Sequence, residues 1–471
     1  MTLRHELAIV LLLLLVAAPT RLLWLDVVPP GLFHDEAYEG IDAVRIAAGA
    51  RPVFLPENYG REPLYAYLMA GLFKLAGPTA LALRATSAIF GTLCIPAAYF
   101  WARVHYGPTV GLVTAALTAA SYWMLQESRL GMRPIALPAG LALTAGLTWL
   151  AARERRAWAW PLAGLCLGVA QYTYLPAHLF PVVVLGEATL GLWAGRRERG
   201  FRLGLIGLAV LIAVATLVAT PLGHYFATNP EAATARGNAV SIFASGEAQA
   251  DPIGALGRNL ALNLGMFVWR GDDTLRHNLP ERAVFDPLLA PFFLLGVALS
   301  LRAALAGKVE HAALWLWLGV MLLPGLLSDS APHFLRTIGL LPALFTLPAQ
   351  GLIAAAEWLT GRLAEWRAGL GARPLAMAPV VGVVLLSQSM SLYDYFVRFP
   401  AWPGLAETFD APRAELARVA GDPPADLGLT LPTPGWSYAT IRFLRPKSFQ
   451  PPDPPPAQPA QARFGSNVVL L

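Results

Sequence analysis

The chain has 471 residues, 56% of them hydrophobic and 14% charged, with a mean hydropathy of +0.52. That apolar content exceeds what a soluble domain of this size needs for its core, which excludes an ordinary soluble enzyme or regulatory domain. The formal charge of +5 does not signal a nucleic-acid ligand, because the arginines fall between apolar runs instead of along one face.

The first apolar run covers residues 7–28. Arg4, the leucines behind it and Val16-Ala17-Ala18 imitate a secretory leader, but the run continues through Leu22-Leu23-Trp24-Leu25 and outlasts a leader core, so a retained first helix is expected. Directly after it come His34-Asp35-Glu36, two adjacent carboxylates against a membrane segment, a costly placement unless they have a task. Leu64 to Ala76 is apolar but short and carries Lys74, which suits an external interfacial helix. Runs of span length then follow at 80–102, 109–125, 134–151, 158–175, 177–194, 203–222, 287–304, 311–327, 336–357 and 375–393. The expected fold is therefore an all-α polytopic membrane bundle of about eleven transmembrane helices, within a range of about ten to thirteen.

Cations follow alternate runs: Arg103, then Arg153, Arg155 and Arg156, then Arg196, Arg197, Arg199 and Arg202, then Arg302 and Lys308, then Arg362, Arg367 and Arg373. With Arg4, these place the amino terminus in the cytoplasm. Loop 29–79, the turn Glu127 to Pro134, loop 223–286 and the turn Ser328 to Arg336 then share the external face. Residues 1–393 form the membrane domain. Residues 394–471 form a small external segment, proline-rich near 451–459, where Pro451-Pro452-Asp453-Pro454-Pro455-Pro456 reads as extended polyproline. No repeat of fixed period is present. Cys94 and Cys166 lie singly inside apolar runs, so no zinc motif is expected.

The external face collects the chemistry. A carboxylate at an apolar boundary can serve as a general base, and Asp35 fits. Glu36 could support it, hold an acceptor, or cap the helix beginning near Ala37. No third ligand joins the pair, so no obligate metal is expected, although oxygen ligands could take Mg or Mn. Arg61, Arg129, Arg133, His333 and Arg336 fall at external helix ends, where guanidinium groups suit a lipid-borne phosphate. Any one of them, like Arg84, could instead be a snorkelling arginine. Tyr172, Tyr174 and His178 could stack on a sugar or belong to an interfacial aromatic belt. The loop with Trp269, Arg270, Asp272 and Asp273 could cover the site or be solvated. Gly204 to Gly207 reads as close helix packing.

Four motifs occur in order: Pro30-Gly31-Leu32-Phe33-His34-Asp35-Glu36-Ala37, Gly60-Arg61-Glu62-Pro63-Leu64-Tyr65, Ser128-Arg129 and Pro332-His333-Phe334-Leu335-Arg336. Together they resemble the GT-C membrane glycosyltransferases of the protein O-mannosyltransferase and aminoarabinose transferase superfamily. The resemblance implies a GT-C-like bundle with juxtamembrane helices in the first loop, and inverting transfer of a sugar from a polyprenyl-phosphate donor to a hydroxyl acceptor outside the cytoplasm. It implies Asp35 as base with Glu36 in support, and Arg61, Arg129, His333 and Arg336 at the donor phosphate. His34, Tyr65, Arg133, Tyr172 and Tyr174 are candidate substrate contacts. Glu62 departs from the second proline typical of aminoarabinose transferases, and no Trp-Trp-Asp motif of oligosaccharyltransferases is present. The expected partners are the donor lipid, a glycolipid, glycan or protein acceptor, and the bilayer, with no nucleic acid. The arginine, alanine and proline content fits a GC-rich bacterial genome, and in such a cell the expected location is the inner membrane. The competing reading is a transporter or flippase of a lipid-linked anion. It would carry its ionisable residues near the midplane, not at one face.

Overall fold

The computed structural model describes residues 2–195, 201–244, 246–366, 372–419, 427–429, 438–444 and 467–469. Arg196, Arg197, Arg199, Arg367 and the polyproline run lie outside the described residues.

Helices dominate because the apolar runs must satisfy their own backbone groups within each segment. In chain order they are α1 (Leu3–Leu22), α2 (His34–Ala47), α3 (Leu64–Ala76), α4 (Ala80–Tyr106), α5 (Pro108–Ala120), α6 (Tyr122–Arg129), α7 (Ala136–Ala152), α8 (Ala159–Ala170), α9 (Phe180–Ala194), α10 (Phe201–Thr228), α11 (Pro230–Ala239), α12 (Gly246–Ala250), α13 (Pro252–Gly265), α14 (Ala290–Leu305), α15 (Val309–Leu326), α16 (Thr346–Trp366), α17 (Ala372–Tyr393), α18 (Leu405–Thr408), α19 (Ala411–Val419) and α20 (Tyr438–Leu444). The strands described are Leu427–Leu429 and Asn467–Val469, paired in parallel.

Each of the eleven apolar runs contains a helix, but among the described residues seven helices are long and apolar enough to cross a membrane, or eight if α5 and α6, bent by 55°, form one broken span. The shortfall against eleven has a local cause. Run 158–175 yields the 12-residue α8, run 287–304 the 16-residue α14, and run 336–357 opens with the 3-10 turns Ile338–Leu340 and Ala343–Phe345 before α16 begins.

Helix α4 is the hub, packing against α1, α3, α5, α6 and α7. Small residues bring other helices close: a Cβ at Gly164 of α8 would sit 2.5 Å from Leu211 O of α10, and Gly204 and Gly207 back onto Leu192 and Trp160. At one end of α4, Glu6 accepts from Tyr99 and from Arg103 Nε (2.6 Å), and His105 meets Glu187. At the other end lie α2, the first loop and the loop between α13 and α14. With α4 spanning about 40 Å at 1.5 Å per residue, two polar layers bracket an apolar middle.

The described part of 394–471 packs onto the first loop. Thr440 Oγ1 donates to Leu32 O at 2.9 Å, and a Cβ at Gly31 would meet Phe409 O at 2.4 Å.

Candidate active site

The site is built on the first turn of α2. Phe33 is its N-cap, and Glu36 at the third helical position reaches back to accept from Phe33 N at 3.1 Å. The same carboxylate, fully buried, accepts from Arg84 Nε (2.9 Å), Arg84 Nη2 (3.0 Å) and Gly131 N (2.8 Å). Arg84 spends its remaining donors on the carbonyls of Leu25, Pro29 and Gly31 at 2.7–2.9 Å. Every hydrogen-bonding direction of Glu36 is thus engaged inside the protein.

Asp35, one step along the helix, points the other way. Its side chain is 23% exposed, Oδ1 accepts from Asn58 Nδ2 at 2.7 Å, and Oδ2 lies 4.0 Å from Arg276 Nη1. Asn58 and Tyr59 adopt left-handed backbone (φ 52° and 65°), and Leu55 pairs with Arg61 to close the turn that presents Asn58. Asparagine tolerates that conformation better than most residues. His34 sits between two acids, with Nε2 3.7 Å from Asp35 Oδ1 and Nδ1 3.5 Å from Asp410 Oδ2.

The facing wall is cationic. Arg276 stacks over the Phe33 ring at 4.3 Å, and burial lowers its pKa while Asp35, Asp272 and Glu127 oppose the shift. Behind it, His277 and His333 lie with ring centroids 5.2 Å apart, His277 Nδ1 is 3.2 Å from Glu127 and His333 Nδ1 is 3.7 Å from Asp272. Burial first, then the charges of Arg336, Arg276 and Arg236, push His333 down to about 3, so it is neutral at physiological pH. Asp272 is raised by burial and accepts from Thr274 N and Phe334 N, which ties the α13–α14 loop to the Pro332–Arg336 turn.

Among the described residues no group of three His, Cys, Asp or Glu side chains is arranged to hold a metal ion. The Asp35 and Glu36 carboxylates diverge, the first toward Asn58 and Arg276 and the second onto Arg84.

A family model described as dolichyl-phosphate-mannose-protein mannosyltransferase matches residues 60–223. No curated protein matches the sequence. Among solved structures, ArnT from Cupriavidus metallidurans bound to undecaprenyl phosphate superposes with a TM-score of 0.56 at 16% identity, over 92% of this chain and 84% of that one. The Archaeoglobus fulgidus oligosaccharyltransferase in the apo form gives 0.52 at 16% identity, over 93% and 63%. The chain has the ArnT-like GT-C fold. The GT-C fold brings the first loop, the turn after α6 and the Pro332–Arg336 turn together, so the motifs scattered along the sequence meet at one end of the bundle. The matched stretch begins at Gly60, downstream of Asp35.

Within this GT-C bundle the expected site residues separate into two groups. Asp35 and His34 lie together opposite Arg276, and neutral His333 and Arg336 stand behind that arginine, although Arg336 is paired with Ser328 and Asp329. Arg61, 1% exposed, is bound to Asp42 and lies 3.4 Å from Glu39. Arg133 lies between Glu39 (3.1 Å) and Glu62 (3.3 Å), over the ring of buried Tyr174. These two arginines are neutralised by Glu39, Asp42 and Glu62. Arg129 is fully buried and donates to the carbonyls of Thr20, Trp24 and Val28, fastening the segment after α1. Tyr65 is buried against Ser87 Oγ at 2.6 Å, and Tyr172 donates to Val218 O at 2.9 Å. Arg276, Arg236, Asn58 and Asp410 were not picked out from the sequence. Arg276 had one available signal, its place in the same polar loop as Asp272 and Asp273.

Proposed function

We propose that the protein transfers a sugar, with inversion, from a polyprenyl-phosphate-linked donor to a hydroxyl acceptor on the extracytoplasmic face of the membrane. The observation that carries this reading is the placement of Asp35, its side chain 23% exposed, with Oδ1 held by Asn58 and the Arg276 guanidinium 4.0 Å from Oδ2. Asp35 takes the acceptor proton as its oxygen attacks the anomeric carbon. The bond to the lipid phosphate breaks, and Arg276, with Arg236 and Arg336 behind it, stabilises the departing anion. Preorganised charge at a leaving group is commonly among the larger contributions to such reactions. ArnT from Cupriavidus metallidurans binds undecaprenyl phosphate, which supports a lipid phosphate as the leaving group.

Glu36 has no part in the bond changes; it fixes the helix turn that aims Asp35. A single displacement needs one base and no second carboxylate, and Glu36 is spent on Arg84.

The test is turnover of a panel of undecaprenyl-phosphate sugars by the full chain in vesicles, scored by release of undecaprenyl phosphate and by the anomeric configuration of the product. Asp35→Asn is expected to lower turnover by about 10³-fold while the protein still inserts and folds. Wild-type rates in Asp35→Asn would overturn the assignment, and movement of the donor across the bilayer without phosphate release would favour a flippase.

A further inference from the structure

Helix α13 is built inside out. Its amide side chains face the protein: Asn259, 5% exposed, donates through Nδ2 to Leu326 O (3.0 Å) and Ser328 O (2.7 Å) at the end of α15, and fully buried Asn263 donates to Asn259 O at 2.8 Å. Ala255 and Leu256 pack on Ile242 and Ala248, but three larger side chains face away, with Ile253 at 84% exposure, Leu260 at 41% and Leu264 at 52%. Spacings of seven and four place these three on one stripe of the helix. Trp269 beyond the helix is 84% exposed and Phe243 before it 48%.

In water such a helix would turn its leucines inward and its asparagines outward, so the surroundings of the stripe must be apolar. Three observations point to lipid as the occupant. The stripe carries no charge, and the charged residue of α13, Arg258, stands off it. The surface continues that of a candidate span, since α13 packs on α15 and Leu327 just past the end of α15 is 42% exposed. The flanks also fit an interface, with Asp251 capping the start through Gly254 N at 2.9 Å and Trp269 following the end, where tryptophan is enriched.

We propose that α13 is docked in the bilayer, with Ile253, Leu260 and Leu264 among the acyl chains of the leaflet on the Asp35 side and Trp269 at its interface. The loop that α13 leads into carries Asp272, Arg276 and His277, and its return strand is tied back at Met266 and Phe267 by Val284 N and Phe285 N at 2.9 Å. A lipid-docked α13 therefore sets the depth at which Arg276 faces Asp35. This inference concerns the membrane surface alone and stands apart from the reaction proposed above.

The test uses the full chain with Cys94→Ser and Cys166→Ser, a single cysteine in turn at Ile253, Leu260 or Leu264, and a nitroxide label, reconstituted in phosphatidylcholine vesicles. Thr234, exposed on α11, is the aqueous reference. The expected result is a ratio of oxygen to nickel-chelate collision rates several-fold higher at all three stripe positions than at Thr234. A ratio equal to that at Thr234 overturns the proposal in favour of a water-facing helix. Shielding from both reagents overturns it in favour of a second protein surface covering the stripe. Three independent exposed positions keep the outcome decisive if one label disturbs folding, which the elution profile of each variant reports.

Discussion

Adjacent positions on a helix point about 100° apart, and at the start of α2 that rotation takes Glu36 into the protein while Asp35 stays at the cleft. Glu36 neutralises an arginine that is itself fully buried, so removing its charge leaves Arg84 with carbonyl acceptors alone. Glu36→Gln is expected to lower stability by about 3–5 kcal/mol, the usual cost of breaking a buried pair from one side, visible as a lower thermal midpoint in detergent. Asp35→Asn should leave that midpoint nearly unchanged, so equal losses in the two variants would contradict the division of roles. The histidines of the facing wall impose a pH dependence. His333 is pushed down to about 3 and His277 well below its ordinary value, both first by burial. The unfolded chain protonates these rings near pH 6.5 and the native state does not, so the unfolded state binds more protons and stability falls as pH drops below that value. Asp272, raised by burial, contributes the opposite slope from its ordinary range upward. One such histidine costs about 2 kcal/mol at pH 5 relative to pH 8. His333→Gln should therefore flatten the decline in thermal midpoint between those pH values, and an unchanged decline would remove His333 as its source.

The C-terminal elements act as a clamp on the first loop. A Cβ at Gly40 of α2 would lie 2.4 Å from the Phe443 ring of α20, so the two helices touch because position 40 is glycine. Gly40→Ala is expected to cost about 1–3 kcal/mol of stability through overpacking. Much of that cost should vanish when Phe443→Ala is added, because the ring end is what the new methyl meets. Additive losses in the double variant would place the strain elsewhere, with Leu83 the next neighbour at 2.9 Å. This clamp was not legible in the sequence, where a change to charge and proline after Tyr393 reads only as a separate segment. Hydropathy did locate the eleven apolar runs, because burial in lipid demands long uninterrupted apolar stretches. It could not place helix ends within 158–175 or 336–357, since composition reports depth and not where hydrogen bonding breaks. The candidate site was legible in the same uneven way. Asp35 stood out as a carboxylate at an apolar boundary, although an acid in the first turn of a helix also has a local reason to be there. Which arginine stays available for an anion depends on partners distant in sequence: Arg61 is taken by Asp42 and Glu39, Arg129 by carbonyls about 100 residues earlier, while Arg276 meets Asp35 across 241 positions.

At the scale of the molecule, the two polar layers at opposite ends of α4 differ in kind. The layer with Glu6, Arg103, His105 and Glu187 pairs a carboxylate with Arg103 and another with the His105 ring across helices, and Arg153, following α7, lies in the sequence beyond a helix that packs on α4. The layer with Asp35 contains the cleft and the wall of Arg276, Arg236 and Arg336. Positive residues are retained on the cytoplasmic side during insertion, and on that ground we propose that the first layer is cytoplasmic and the second external. A donor carried on a lipid phosphate would then meet Asp35 at the outer leaflet, at the depth where charged head groups already reside. The orientation is checked in a background of Cys94→Ser and Cys166→Ser with single cysteines at Tyr59, 64% exposed beside Asn58, and at Glu154, exposed between α7 and α8. A membrane-impermeant maleimide is expected to label Tyr59→Cys in intact cells and Glu154→Cys only after the membrane is opened. The reverse pattern would turn the molecule over, place the cleft in the cytoplasm and remove the basis for an extracytoplasmic acceptor.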